Sequence, residues 1–113
     1  MNFYFFCKKK RINISVKRVS ELGKVSGLMF RGKNTENLLF SFDKPTNIAI
    51  HSWFVFFPFL VVWLDSNQKI IEYGVVKPFT GVVRPSKPFK NLVEIPLNLR
   101  NRRVVKTIVG KKA

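Results

Sequence analysis

The segment that most constrains the fold is the apolar run IAIHSWFVFFPFLVVWL at residues 48–64, which has Pro58 near its middle. As one helix it would reach about 26 Å, a little short of the roughly 30 Å hydrocarbon core of a bilayer. Its Phe, Trp, Val and Ile side chains favour strands, and a proline disrupts a helix. We therefore predict two buried strands, residues 48–57 and 60–65, that double back at Pro58, and no transmembrane segment.

Hydrophobic periodicity predicts strands along most of the remaining chain. Residues 11–19 alternate Ile12, Ile14 and Val16 with polar side chains, the pattern of a strand with one exposed face. Apolar spacing predicts one short helix at residues 20–30. Further strands are predicted at residues 37–42, 69–76, 91–95 and 103–109. The predicted fold class is mostly β, with about seven strands and one short helix.

The length of 113 residues fits a single domain. Within it we expect residues 1–10 to form a partly ordered basic and aromatic segment, and residues 77–90, with three prolines, to form a long irregular loop. The start MNFYFFCKKKR places apolar residues before the charges, the reverse of a secretory signal, so we expect a cytoplasmic protein. The single cysteine, Cys7, excludes an internal disulfide framework.

The sequence lacks the residue sets of common catalytic and metal sites. Residues 27–33 fit the phosphate-binding spacing G-x-x-x-x-G-K, but Asn34 stands where a Ser or Thr hydroxyl would bind the metal. One His and one Cys cannot supply the four ligands of structural zinc. A half-buried ring hydrogen-bonded to backbone explains His51 better than a catalytic pair with Cys7 does. We predict no catalytic residue, no metal and no cofactor, and enzyme activity is the less favoured class.

Positive charge is the second dominant feature, since 21 Lys and Arg against 6 Asp and Glu give a formal net charge of +15. Acidic residues are absent before Glu21 and after Glu94. Chain termini often lie close together, so the two basic ends could form one positive face. Such a face would bind nucleic acid or an anionic membrane surface weakly, and more weakly as salt rises. The alternative is that the charge serves solubility alone. The residues of this predicted basic patch are Lys8, Lys9, Lys10, Arg11, Lys17, Arg18, Arg100, Arg102, Arg103 and Lys106.

Several short motifs follow one another in an order that resembles a known family. They are Gly27-Leu28-Met29-Phe30-Arg31, Leu38-Leu39-Phe40, Ile50-His51-Ser52-Trp53-Phe54-Val55-Phe56-Phe57-Pro58, Val61-Val62-Trp63-Leu64-Asp65, Ile71-Glu72, Lys77-Pro78-Phe79 and Val93-Glu94-Ile95-Pro96. From about Arg11 onwards the chain resembles the domain-of-unknown-function 192 family, also called uncharacterised protein family 0127, in a short archaeal-type form. The resemblance implies a compact antiparallel β-barrel or sandwich with little helix. It implies no activity, because none is established for the family.

The chain departs from the family pattern at two acidic positions. Leu60 lies two residues after the proline, where the family usually has an acid, and Gly110-Lys111 replaces a usual Gly-Asp. If those acids form a polar or metal-binding site in relatives, this chain has lost part of it.

Charged residues inside otherwise apolar motifs give a candidate binding site. Our hypothesis is that Arg31 pairs with Glu72 or Glu94 beside a groove near His51, and the alternative is a buried ion pair that only fixes strand register. The candidate groove residues are Arg31, His51, Trp53, Asp65, Glu72, Lys77, Phe79 and Glu94. We therefore predict a non-enzymatic binding or accessory module for a small ligand or protein. The alternative function is a basic adaptor for nucleic acid or an anionic membrane surface.

Overall fold

The computed structural model describes residues 1–19, 31–52 and 55–110, which form six β-strands followed by one α-helix. The elements are β1 (Asn2–Cys7), β2 (Lys10–Arg18), β3 (Asn37–Thr46), β4 (Phe59–Leu64), β5 (Ile70–Val76), β6 (Phe89–Pro96) and α1 (Arg102–Val109). The predicted fold class, mostly β with one short helix, is confirmed, and the six strands come close to the predicted seven. The helix predicted at residues 20–30 lies outside the described residues.

All six strands belong to one mixed sheet with the order β1-β2-β3-β6-β4-β5. Neighbouring strands are antiparallel except β2 and β3, which pair in parallel from Val16 with Asn37 onwards. The parallel pair departs from the wholly antiparallel sheet that the family resemblance implied. The two outer strands approach each other at one point, where the Phe6 N–H donates to the Gln68 carbonyl oxygen at 2.8 Å. The sheet is therefore curled into a half-barrel.

The curled sheet has a hydrophobic cluster on each face. The first core cluster contains Phe5, Cys7, Ile12, Ile14, Val16, Leu39, Leu60, Val62, Leu64, Val93, Ile95 and Ile108. The second core cluster contains Leu38, Phe40, Val55, Phe57, Phe59, Val61, Trp63, Val76, Phe89 and Leu92. Strand β4 contributes alternate residues to both clusters, because successive side chains of a strand point to opposite faces. Burial on both faces explains why the sequence of β4 is apolar at every position.

The predicted hairpin around Pro58 is wrong. Strand β4 begins directly after this proline and pairs with β5 on one edge and β6 on the other, so neither edge is left for residues 48–57. The described residues of that segment form no named strand, and Ile50 makes an isolated bridge with Val83. Val55 and Phe57 are instead buried against the second core cluster. The segment is apolar because it covers the sheet, not because it is paired within it.

The strand predicted at residues 103–109 is also wrong, because these residues belong to α1. The β-branched side chains suggested a strand, yet Val104, Val105 and Ile108 have the spacing of one helical stripe, and this stripe packs on the first core cluster. The helix ends at Gly110, which adopts φ 87° and donates its N–H to the Lys106 carbonyl oxygen at 2.8 Å. Glycine favours this left-handed conformation at a helix end.

Among residues 1–19, 31–52 and 55–110, no helix is both long enough and apolar enough to span a membrane.

Candidate functional site

Two segments outside the sheet lie against each other and cover the second core cluster. We call residues 50–52, 55–57 and 77–83 the loop platform. At one end of it, Ile50 and Val83 exchange both backbone hydrogen bonds at 2.8 Å. Both side chains also pack against the second core cluster. The loop platform therefore brings two of the sequence motifs, one around His51 and one around Phe79, onto the same face of the sheet.

Ser52 holds the two segments of the loop platform together. Its side chain is completely buried, and its Oγ donates to the Lys77 carbonyl oxygen and accepts from the Thr80 N–H, both at 2.6 Å. Its backbone N–H donates to the Thr80 carbonyl oxygen at 2.9 Å, and its carbonyl oxygen accepts from the Phe79 N–H at 2.9 Å. Sequence reasoning missed this residue. The available signal was a small hydroxyl side chain inside an otherwise apolar run.

Phe79 combines backbone strain with exposure. It adopts φ 58°, a left-handed conformation that bulky residues rarely take, and its side chain is 49% exposed. Its ring contacts the Phe56 ring edge-on, with centroids 5.5 Å apart, and Phe56 is 58% exposed. We call Phe56 and Phe79 the aromatic lip. The fold therefore keeps both rings exposed to solvent, although the backbone at Phe79 is strained.

The sheet places two buried polar side chains on the face that carries the second core cluster. Glu94 lies in β6 directly between Leu38 of β3 and Val61 of β4, both members of the second core cluster. Residues paired directly across strands share a face, so the Glu94 carboxyl faces this cluster too. Trp63 follows two residues after Val61 on the same face, and its buried Nε1 finds no hydrogen-bond acceptor among the described residues.

Burial determines the protonation state of the Glu94 carboxyl group. Glu94 is only 5% exposed, and desolvation raises its pKa from 4.5 to about 8. At neutral pH the group is therefore mostly a neutral acid, which can both donate and accept a hydrogen bond. Together with the Trp63 indole N–H, it supplies hydrogen-bonding groups inside an otherwise apolar cluster.

The remaining predicted groove residues divide between this site and other parts of the fold. His51 is exposed and precedes Ser52 on the loop platform, and the Lys77 side chain is exposed on the same platform. Arg31 is half-buried in the segment before β3. Its pairing with a carboxylate stays a prediction. Trp53 lies outside the described residues.

Two of the predicted acids have structural partners away from the aromatic lip. Glu72 Oε1 accepts hydrogen bonds from the backbone N–H and the hydroxyl of Ser86, both at 2.9 Å. Asp65 Oδ1 accepts from the N–H groups of Asn67 and Lys69, at 2.8 and 3.0 Å. Asp65 therefore shapes the turn between β4 and β5, at the opposite end of β4 from the loop platform.

Residues of the predicted basic patch lie on both sides of the hairpin formed by β1 and β2. The apolar face of β2 packs with α1 in the first core cluster, so Arg11 and Lys17 point to the outer face. There the Arg11 guanidinium lies 4.3 Å from the centroid of the Tyr4 ring. Exposed basic residues of α1 lie on the other side of the hairpin, and these are Arg102, Arg103 and Lys106.

Neither a metal centre nor a Cys–His pair is assembled in the described part of the chain. Among residues 1–19, 31–52 and 55–110, no three His, Cys, Asp or Glu side chains converge as ligands of a metal ion would. Cys7 is buried in the first core cluster, whereas His51 is exposed on the loop platform over the second. The site is therefore best described by its aromatic lip and its two buried polar groups.

Comparisons with a family model and with related sequences identify the same family. Residues 7–108 match the DUF192 family, described as "Uncharacterized ACR, COG1430". A UPF0127 protein of Pyrococcus furiosus is 34% identical over 92 residues, which cover 79% of this chain and 78% of that protein. A UPF0127 protein of Pyrococcus abyssi is 32% identical over 71 residues, which cover 63% of this chain and 58% of that protein.

Two solved structures share the fold. A protein of unknown function from Novosphingobium aromaticivorans superimposes with a TM-score of 0.74 at 14% identity, covering 92% of this chain and 77% of that one. A "putative transcription regulator" from Sinorhizobium meliloti superimposes with a TM-score of 0.74 at 15% identity, covering 90% and 82%. At these identities the likeness concerns the fold alone. The family match and the relatives, together with this mostly β fold, lead to one conclusion: the chain belongs to the DUF192 family, also called UPF0127.

Proposed function

We propose that this protein is a non-enzymatic binding module that takes a small ligand at the loop platform. The observation that supports this most directly is the aromatic lip. Phe79 occupies a strained backbone conformation and keeps its ring in solvent beside Phe56. Strain of this kind persists where the surrounding structure imposes it, and it concentrates at functional sites. Here the Phe79 N–H donates to the carbonyl oxygen of the fully buried Ser52, which helps to hold Phe79 in this conformation.

The chemistry of the platform favours a ligand with an aromatic or apolar body and one hydrogen-bond acceptor. Two exposed rings offer an apolar contact surface with a defined stacking geometry. An acceptor that reached the second core cluster would satisfy the Trp63 N–H, and the neutral Glu94 carboxyl lies on the same face. A carbonyl or amide group has the required chemistry. A free anion is less suitable, because burial already disfavours negative charge at Glu94.

The experiment compares the wild-type protein with Phe79→Gly. Glycine adopts positive φ without strain, so this variant should fold with an unchanged or higher melting temperature. Each protein is incubated with a small-molecule extract of its host cells, separated from unbound compounds by gel filtration, and analysed by mass spectrometry. The wild-type protein should retain a compound that Phe79→Gly retains at about a tenth of the level or less, as expected when a contact of 1–2 kcal/mol is lost.

Leu99→Gly is the matched control, since Leu99 is an exposed apolar residue outside the loop platform, with 85% exposure. Its retention should equal that of the wild-type protein. Equal retention by wild type and Phe79→Gly would overturn the proposal. Retention of a protein instead of a small compound would replace the ligand class with a protein partner.

A basic adaptor is the second candidate function. It is supported by the exposed basic side of α1, whose opposite side is packed on the first core cluster. Retention on heparin and on anionic liposomes across a salt series tests it, because binding to phosphates weakens steeply as salt rises. The triple variant Arg102→Gln, Arg103→Gln and Lys106→Gln should elute at lower salt than wild type. Negligible, salt-insensitive retention of the wild-type protein would remove this candidate.

A cytoplasmic location and a single-domain organisation belong to the same proposal. One sheet contains all six described strands, which supports the second. Fractionation of the native cells tests the location, and a single cooperative unfolding transition tests the organisation.

A further inference from the structure

A cavity separate from the loop platform lies where the two outer strands diverge. Strand β1 meets the residue just before β5 at the parallel bridge between Phe6 and Lys69. Beyond this bridge the chain leaves β1 and turns back into β2, whereas β5 continues to Val76. The gap between them has a volume of about 800 Å³, which is within the usual range for small-molecule sites.

The wall of this gap is apolar and its rim is basic. Phe6, Ile70 and Ile71 line its apolar side, and Lys8, Lys9 and Lys69 also line it. We call the gap with these six residues the lysine groove. Glu72 also lines the gap, and its carboxylate accepts two hydrogen bonds from Ser86. Three lysines against one carboxylate leave the gap with a net positive charge.

The turn that provides two of these lysines has an unfavourable sequence for its geometry. Cys7 pairs with Lys10, so Lys8 and Lys9 alone connect β1 and β2, and both have positive φ, 52° and 70°. A two-residue hairpin turn with positive φ at both positions is type I′, which strongly favours Asn-Gly. Lysine at both positions costs backbone strain without any benefit to the turn. The geometry of the turn therefore does not explain why lysine occupies both positions.

We propose that the lysine groove binds a free single-chain amphiphilic anion, with its carboxylate at the three lysines and its hydrocarbon chain along the apolar wall. Charge complementarity fixes the head group, because ammonium groups donate strong hydrogen bonds to a carboxylate. The apolar wall determines the chemistry of the tail, because burying hydrocarbon surface is favourable. This site does not overlap the loop platform, so it stands independently of the function proposed there.

The decisive variant replaces Lys8 and Lys9 together by Asn and Gly, written K8N/K9G. Asn-Gly is the preferred sequence of this turn, so the variant should melt at a higher temperature than wild type. Sodium dodecanoate below its micelle concentration is the probe, measured by titration calorimetry. Wild type should bind one dodecanoate, and K8N/K9G should bind it at least about tenfold more weakly, because hydrogen bonds to a charged group are lost. Dodecanol, which has no charge, should bind equally to both.

Two control variants show whether dodecanoate binds at the lysine groove rather than elsewhere on the protein. Lys44→Asn removes an exposed lysine outside the groove and should leave dodecanoate affinity unchanged. Phe79→Gly should also leave it unchanged, which distinguishes failure here from failure of the platform site. Equal affinity of wild type and K8N/K9G, or no binding by wild type, overturns the proposal. Binding to phosphatidylglycerol vesicles without binding to free dodecanoate overturns it in favour of a membrane surface.

Discussion

The hydroxyl oxygen of Ser52 lies 2.6 Å from the carbonyl oxygen of Lys77, although the two residues are 25 positions apart and neither belongs to a strand. The same hydroxyl accepts the Thr80 N–H at 2.6 Å. One buried side chain thus satisfies a backbone acceptor and a backbone donor of the opposite segment. The position of the aromatic lip over the sheet depends on this arrangement.

The first prediction concerns Ser52→Ala. The substitution leaves the Thr80 N–H without its acceptor, whereas the Lys77 carbonyl oxygen keeps its bond from the Thr80 hydroxyl. An unsatisfied buried group costs about 1–3 kcal/mol. We expect the free energy of unfolding to fall by that amount in a urea titration. Amide exchange at Phe79 and Thr80 should become faster. Thr80→Val is the control, since its hydroxyl makes an exposed hydrogen bond to Lys77, and it should cost less. An unchanged unfolding curve for Ser52→Ala would show that other contacts position the loop platform.

The second prediction concerns the pH dependence of stability. Burial raises the pKa of Glu94 from 4.5 to about 8, so between these values the folded chain holds a proton that the unfolded chain has released. The stabilising contribution of this proton is full below the lower value and is lost as the pH rises through the upper one. Glu94→Gln mimics the protonated acid. Relative to this variant, wild type should lose about 1 kcal/mol per pH unit across that window.

Thermal unfolding of both proteins at several pH values measures this difference. Their melting temperatures should nearly coincide at pH near 5, and Glu94→Gln should be the more stable protein at pH near 8. Glu36→Gln, at an exposed position, is the control and should follow the wild-type profile. Parallel profiles of wild type and Glu94→Gln would mean that the Glu94 carboxyl is ionised in the folded state.

The third prediction concerns Asn101, whose buried amide links α1 to two strands. Its Nδ2 donates to the Asn37 Oδ1 at 2.9 Å and to the Pro96 carbonyl oxygen at 2.8 Å. Asn101→Asp replaces this donor by a carboxylate facing two oxygens, and an unpaired buried charge costs about 3–5 kcal/mol. The milder Asn101→Ala should cost about 1–3 kcal/mol. Asn98→Asp, on a more exposed amide, should cost less than either. Equal melting temperatures of all three variants would exclude the network as a source of stability.

Part of this fold is visible in the sequence because burial there is one-sided. In β2, Ile12, Ile14 and Val16 are buried while their neighbours are exposed, and this alternation is typical of a strand with one exposed face. Residues 48–64 show no such alternation, because β4 is buried on both faces and the preceding segment covers the sheet. Apolarity alone does not distinguish a paired strand from a covering segment. The hairpin predicted at Pro58 was wrong for this reason.

Helix α1 was missed for a related reason. Its β-branched residues favour strands when considered singly, and their tertiary contacts with the first core cluster decide the outcome. A short helix gains most of its stability from such packing rather than from intrinsic propensity.

The candidate site could be predicted only in part. Glu94 was identifiable as a charge inside an apolar motif, and Phe79 as part of a family motif. Ser52 was not, because its importance arises from contacts with residues 25 to 28 positions away that no local pattern encodes. The strain at Phe79 was also invisible, since backbone conformation at one residue depends on the segments that hold it. The pairing proposed for Arg31 stays a prediction.

The most direct test of ligand binding at the loop platform is amide chemical-shift mapping of the isotope-labelled protein with the small-molecule fraction that wild type retains and Phe79→Gly does not. We predict shift changes at Ser52, Phe56, Phe79 and Thr80, with the α1 amides unaffected. Shift changes confined to α1, or to Lys8, Lys9 and Lys69, would contradict binding at the loop platform.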